Sequence, residues 1–260
     1  MPIATNLGFP RIGPKRELKW ALESFWSGKT DQKDLLGVAS DIRKQNWKLQ
    51  KDLGISHIPS NDFSLYDHVL DTTLMVGAIP NRYHSVSSNT NDLTTYFAMA
   101  RGLSKPEEQG VTAMEMTKWF DTNYHYIVPE LVPDQQFEFA SRKVIDEFLE
   151  ARSIGIHTRP VLISPVSYLL LSKIKGSEID SLSLLDRLLP VYGEILAELE
   201  KCGADWVQLD EPALGIALTA DQASSIRHTY FEFARFAPNL KFLLTTSFLK
   251  LIDLKSFHSV

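Results

Sequence analysis

The chain has 260 residues, 44% of them hydrophobic, enough to bury a substantial core in one (β/α) barrel or two smaller domains. With 27 Lys and Arg against 32 Asp and Glu the net charge is −5, which excludes a general affinity for nucleic acid or membrane surfaces and makes any anion site local. The single cysteine, Cys202, cannot form an internal disulfide, and no run approaches the ~20 apolar residues of a membrane span.

A β-like run at Ile3 to Asn6 leads through a loop punctuated by Gly and Pro into a helix at about Lys15 to Trp26. Next come a helix over Leu35 to Leu53, a strand at Ile55 to Pro59 and a helix at Tyr66 to Val76. The segments His84 to Asp92 and Ser104 to Gly110 read as surface loops on either side of a helix at Leu93 to Ala100. Strands are expected at Ala113 to Lys118 and Gln136 to Phe139. Lys143 to Ser153 gathers Val144, Ile145, Phe148 and Leu149 on one helical side, and Pro160 to Ile163 follows as a strand. The best-marked helix runs from about Leu184 to Lys201, with Pro190 expected to kink it or mark a later start and Gly203 to stop it. Trp206 to Leu209, a helix at Ala220 to Phe236 and Lys241 to Thr245 complete seven strands. Short strands alternating with helices predict a parallel sheet wrapped in helices, in one domain without repeats.

In such folds ligands sit at the carboxyl ends of the strands. Four places carry candidate chemistry. The loop from Leu7 to Lys19 holds Arg11, Lys15, Arg16 and Lys19, a seat for carboxylates or phosphates or else a solvated basic turn with Glu17 as partner. Glu115 to Tyr126 sets Trp119, Phe120 and Tyr124 beside Lys118, Asn123 and His125, suited to a planar heterocycle with a charged tail or to plain packing. Gln208-Leu-Asp-Glu-Pro212 brings two adjacent carboxylates, but neighbours in a strand face opposite ways and make a poor acid and base pair. The fourth is Ser60 to Ser64 with Asp67 and His68. None of the seven histidines has the spacing of a zinc motif, so no metal site is expected in this chain.

Taken together, Leu7-Gly-Phe-Pro-Arg-Ile-Gly13, Arg16-Glu-Leu-Lys19, Gln45 to Lys51, Asn61 to His68, Glu115 to Tyr126, Arg159 to Tyr168 and Val207 to Leu214 resemble, in order, the amino-terminal half of the cobalamin-independent methionine synthases. That resemblance implies methyl transfer from 5-methyltetrahydrofolate polyglutamate to homocysteine, with no cobalamin. It implies a two-barrel protein whose second barrel holds zinc and most of the homocysteine site. Here it implies a TIM-type (β/α)8 barrel, incomplete at about seven strands, spanning residues 1–246 with a divergent tail over 247–260. The family's contacts to the folate tail fall on Arg16, Glu17, Leu18, Lys19, Lys118 and Asn123. No residue is assigned a catalytic role.

A cytoplasmic protein, inactive alone for want of the zinc barrel, is the expectation. A stand-alone folate-binding module, half of a split enzyme, or a non-catalytic remnant are the alternatives.

Overall fold

Local signals set most element boundaries in the structure, a computed structural model that describes residues 3–87, 92–105, 108–120 and 122–246. Helix α1 spans Glu17–Trp26, and α2, Gln32–Asp52, starts at a capping box in which Asp31 and Asp34 satisfy each other's amides. After strand β1 (Ile58–Ser60), the Asp67 side chain accepts from Leu70 N–H and caps α3, His68–Met75. Then come α4 (Leu93–Arg101), β2 (Leu103–Lys105), β3 (Glu108–Val111), β4 (Met116–Lys118), β5 (His125–Ile127) and β6 (Glu130–Leu131). Helix α5 (Lys143–Ser153) leads into β7 (Thr158–Ile163), the short α6 (Pro165–Leu170) and β8 (Lys173–Ile174). The last elements are α7 (Leu185–Lys201), β9 (Trp206–Asp210), α8 (Ala220–Phe236), begun by a Thr219 and Gln222 capping box, and β10 (Lys241–Thr245).

Four strands form one parallel sheet in the order β1, β7, β9, β10. Ile58 faces Thr158, Val161 faces Gln208 and Trp206 faces Lys241 across it. A parallel bridge from Thr5 to His57 sets the first segment of the chain beside β1. This is an α/β fold. Among the described residues the sheet is open, with β10 and the Thr5 segment at its two edges.

Of the seven expected strands four form this sheet, Ile3 to Asn6 contributes only the isolated bridge at Thr5, and two lie outside it. Ala113 to Lys118 contributes only Met116–Lys118, which pairs antiparallel with β5 in a separate hairpin. Gln136 to Phe139 forms no strand. Its backbone docks instead on the end of α3, Glu138 N–H donating to Val76 O at 3.1 Å and Ala140 N–H to Met75 O at 3.0 Å, while Phe137 and Phe139 pack on the core. Gly77 makes that approach possible: it sits at φ 68°, and a Cβ there would lie 2.7 Å from Glu138 Cγ. Ser104 to Gly110, expected as a loop, supplies backbone to the antiparallel pair β2 and β3. The tail beyond Thr246 lies outside the described residues.

The main core gathers the inner faces of α5, α7 and α8 with α6 and the strands, and α7 alone buries Leu185, Leu188, Leu189, Val191, Tyr192, Ile195, Leu196 and Leu199. Pro190 does not delay that helix. It lies on the exposed side, as does Asp186, whose carbonyl the missing N–H would have met. A second cluster joins α1, α2, α3 and α4 through Leu18, Leu35, Ile42, Leu70 and Phe97. No helix among the described residues is long and apolar enough to cross a membrane.

Strand β9 is hydrogen-bonded on both sides, whereas among the described residues β10 is paired on one side only and exposes Lys241 and Leu244. Native-state hydrogen exchange should therefore run faster in β10 and residues 3–6 than in β9, by about 100-fold or more. Equal protection in the two strands would show that a further segment covers the β10 edge.

Candidate functional site

The carboxyl ends of β1, β7 and β9 open into a cavity of about 370 Å³. Beyond β1 the chain turns at Asn61, a non-glycine residue at φ 59°. Its left-handed geometry is held by its own side chain, which donates to Val161 O at 2.8 Å, and by its N–H, which donates to Glu147 Oε2 at 3.1 Å. Asp62 and Ser64 follow into the wall, and Ile163 and Asp210 enter from the ends of β7 and β9.

The loop from Leu7 to Arg11 closes one side and is latched by main-chain bonds. Phe9 N–H donates to Asp62 Oδ2 at 2.8 Å, Gln208 Nε2 to Leu7 O at 3.0 Å, and Arg11 to Ser64 O at 2.6 Å. Behind the loop, the buried guanidinium of Arg159 holds Thr5 Oγ1, Asn6 O and Gln208 Oε1 at 2.6–2.8 Å. That interior charge ties the first segment of the chain to β9 across β7.

On the far wall Lys143, the first residue of α5, places its ammonium 2.8 Å from Asn61 Oδ1, 2.7 Å from Phe63 O, 3.1 Å from Glu147 and 3.3 Å from Asp71. Burial pulls its pKa down, but Glu147 and Asp71 more than offset this, so it stays above the ordinary lysine value. The Tyr124 hydroxyl donates to Asp67 Oδ1 at 2.7 Å and meets His68 Nδ1 at 3.2 Å. Burial, reinforced by the Asp67 charge, raises the Tyr124 pKa, so the phenol is a neutral donor. Asp62 is pushed up to about 6, first by burial and then by nearby Glu147, against the restraint of the Phe9 amide.

Glu211 lies one residue past the cavity wall and is fully buried. Ser167 Oγ and, at 3.4 Å, the Tyr230 hydroxyl donate to it, yet burial raises its pKa to about 7. Asp210 Oδ1 accepts from Gln208 and Thr245 at 2.7 and 2.5 Å. The adjacent carboxyls thus occupy different environments, as alternation along a strand requires.

The residues assigned to the folate tail fall into two groups. Arg16 to Lys19 form the start of α1, where Arg16 sits at φ 64° and the Glu17 carboxylate accepts Lys15 N–H at 2.9 Å. Leu18 is 1% exposed and packs in the second core cluster, so its side chain is unavailable to a ligand. Lys118 and Asn123 are exposed on the β4–β5 hairpin. None of the six lines the cavity, and no described hydrogen bond or ion pair joins the two groups. Each adjoins a lining residue, however: Arg11 lies in the loop leading to α1, and Tyr124 follows Asn123.

Lys143, Asp71 and Arg159 received no role from sequence reasoning. The available signals were a lysine in the first turn of a helix, where the dipole disfavours it, with Glu147 at i+4, and an arginine inside an otherwise apolar strand. Among the described residues the His and Cys side chains are not arranged to hold zinc. Cys202 ends α7, His57 packs on Trp206, His157 pairs with Asp205 and His228 with Asp186. No group of three His, Cys, Asp or Glu side chains converges among the described residues.

The sequence profile described as "Cobalamin-independent synthase, N-terminal domain" matches residues 3–257. A 5-methyltetrahydropteroyltriglutamate–homocysteine methyltransferase of Caulobacter vibrioides is 54% identical over 95% of this chain and 33% of its own length. Proteins of the same name from Mesorhizobium japonicum and Flavobacterium johnsoniae are 51% and 53% identical, over 34% and 31% of theirs. The chain thus spans about a third of the length of these relatives. A crystal structure titled as a putative vitamin-B12 independent methionine synthase from Listeria monocytogenes superposes with a TM-score of 0.59 at 12% identity, covering 95% of this chain and 66% of that one, which supports the fold alone. On the profile match and these identities, the chain belongs to the cobalamin-independent methionine synthase family, as its amino-terminal domain.

Proposed function

We propose that this chain is the folate-polyglutamate-binding part of a cytoplasmic enzyme that moves a methyl group from 5-methyltetrahydropteroyltriglutamate to homocysteine, and that its parallel sheet belongs to a (β/α)8 barrel. The observation that carries the reading is a set of cations without fixed partners. Arg16 and Lys118 are exposed and form no ion pair among the described residues. Lys19 has a loose contact with Glu23 at 3.6 Å, between side chains 36% and 48% exposed, and lies over the exposed Trp20 ring at 4.6 Å.

A glutamate tail is a string of carboxylates and gains most from charges that lose little on leaving water or other partners. In this reading the Asn123 amide adds a neutral donor. Glu17 holds the turn that presents Arg16, and Leu18 anchors that turn in the core. Zinc, which the family uses to activate the homocysteine thiol, would be held by residues outside this chain.

Titration with mono- and triglutamyl folate tests the proposal. The triglutamate should bind more tightly, its affinity should fall with salt, and Lys19→Ala with Lys118→Ala should weaken it by about tenfold or more. Equal binding of both folates by both proteins would remove the assignment.

A further inference from the structure

The cavity at the strand ends is left unused by the tail reading, and its charges are unevenly matched. Lys143 is neutralised by Asp71 and Glu147, and His68 is engaged by Tyr124. Three charged groups make no direct ion pair among the described residues, the buried Arg159 acting on Asp62 and Asp210 only from a distance. The Arg11 guanidinium donates only to the Ser64 carbonyl. The Asp62 carboxyl accepts backbone amides, that of Phe9 on Oδ2 and its own. Asp210 accepts its two hydrogen bonds on Oδ1 and leaves Oδ2 without a partner.

Ser64 also lines the cavity, where its carbonyl is taken up by Arg11. Between these groups lie the apolar side chains of Met75, Val144, Val161 and Ile163.

We infer that the cavity binds a small zwitterionic α-amino acid with an uncharged, apolar side chain. Its carboxylate meets Arg11, its ammonium meets Asp62 and Asp210, and its side chain lies against the apolar wall. The size fits, since about 370 Å³ is at the small end of ligand pockets. A polyanion is disfavoured because it would set further carboxylates against Asp62 and Asp210, which separates this site from the cations of the folate tail. The ligand would complete the polar groups without a net change of charge in a partly desolvated space, the condition under which buried charges are tolerated.

The test is calorimetric titration of the 260-residue chain with L-methionine, L-leucine, N-acetyl-L-methionine, L-methioninamide and L-glutamate. The first two should bind, and each of the other three, lacking the ammonium, lacking the carboxylate or adding a charge, should bind about tenfold or more weakly. Asp62→Asn, which keeps an acceptor for Phe9 N–H, and Arg11→Gln should each weaken the free amino acids by a similar factor and leave triglutamyl folate binding unchanged. Lys19→Ala should leave amino-acid binding unchanged. Absence of binding by methionine and leucine, or equal binding of the blocked and free forms, overturns the inference on the unmodified protein. The polyglutamate titration stands or falls separately.

Discussion

Replacing Lys143 with methionine is expected to lower the stability of the chain by about 3–5 kcal/mol, because it strands buried carboxylates whose charge the ammonium now balances. Asp71 would keep only the Tyr96 hydroxyl, at 2.7 Å. Glu147 would retain Arg43 at 3.6 Å, which holds the loss towards the lower end of that range. Asn61 Oδ1 and Phe63 O would lose their donor, loosening the turn that carries Asp62 into the cavity. Urea denaturation at neutral pH measures the loss. A loss below about 1 kcal/mol at neutral pH would mean that water reaches this cluster and that the ion pairs are of the weak surface kind.

The parts of the fold that were legible in the sequence are those where local physics and tertiary packing agree. Lys143–Ser153, Ala220–Phe236 and Lys241–Thr245 appear with the expected boundaries because an amphipathic stripe, a cap or a turn marks each end. Gln136 to Phe139 shows the limit. Its alternation is real, with Phe137 and Phe139 half-buried and Gln136 and Glu138 exposed. Period two reports an extended backbone with one covered face, and here the partner is the end of a helix rather than a strand. Helix α6 escaped for the opposite reason: Pro165 through Leu169 are all buried, so no polar face reveals the period.

The site divides along the same line. Arg11, Asn61, Asp62, His68 and Tyr124 stood in segments already singled out for their polar and aromatic density, and the fold brings those segments to one cavity. Lys143, Asp71 and Arg159 depend on distant partners, the contact of Lys143 with Asp71 spanning 72 positions and that of Arg159 with Thr5 spanning 154. Which distant partners meet is decided by the pairing order of the sheet. The order β1, β7, β9, β10 sets β1 against a strand nearly a hundred residues later, and no local pattern encodes that jump.

Glu211 supplies the second large effect, with a sign opposite to that of a surface carboxylate. Its folded pKa of about 7 lies above the ordinary 4.5 because burial disfavours the charged form. Between those two values the folded chain binds more protons than the unfolded one, so this group makes stability fall as pH rises through that window. Asp62, raised to about 6 from 3.8, adds a smaller contribution of the same sign. Glu211→Gln removes the titration while keeping polar atoms for Ser167 and Tyr230. It should therefore raise stability by about 2–3 kcal/mol at pH 8 and change it by under about 1 kcal/mol at pH 5. Thermal or urea unfolding of both proteins across pH 5–8 reads this as a flatter profile in the variant. Parallel profiles would mean that Glu211 is ionised throughout and that its Ser167 and Tyr230 bonds outweigh its burial.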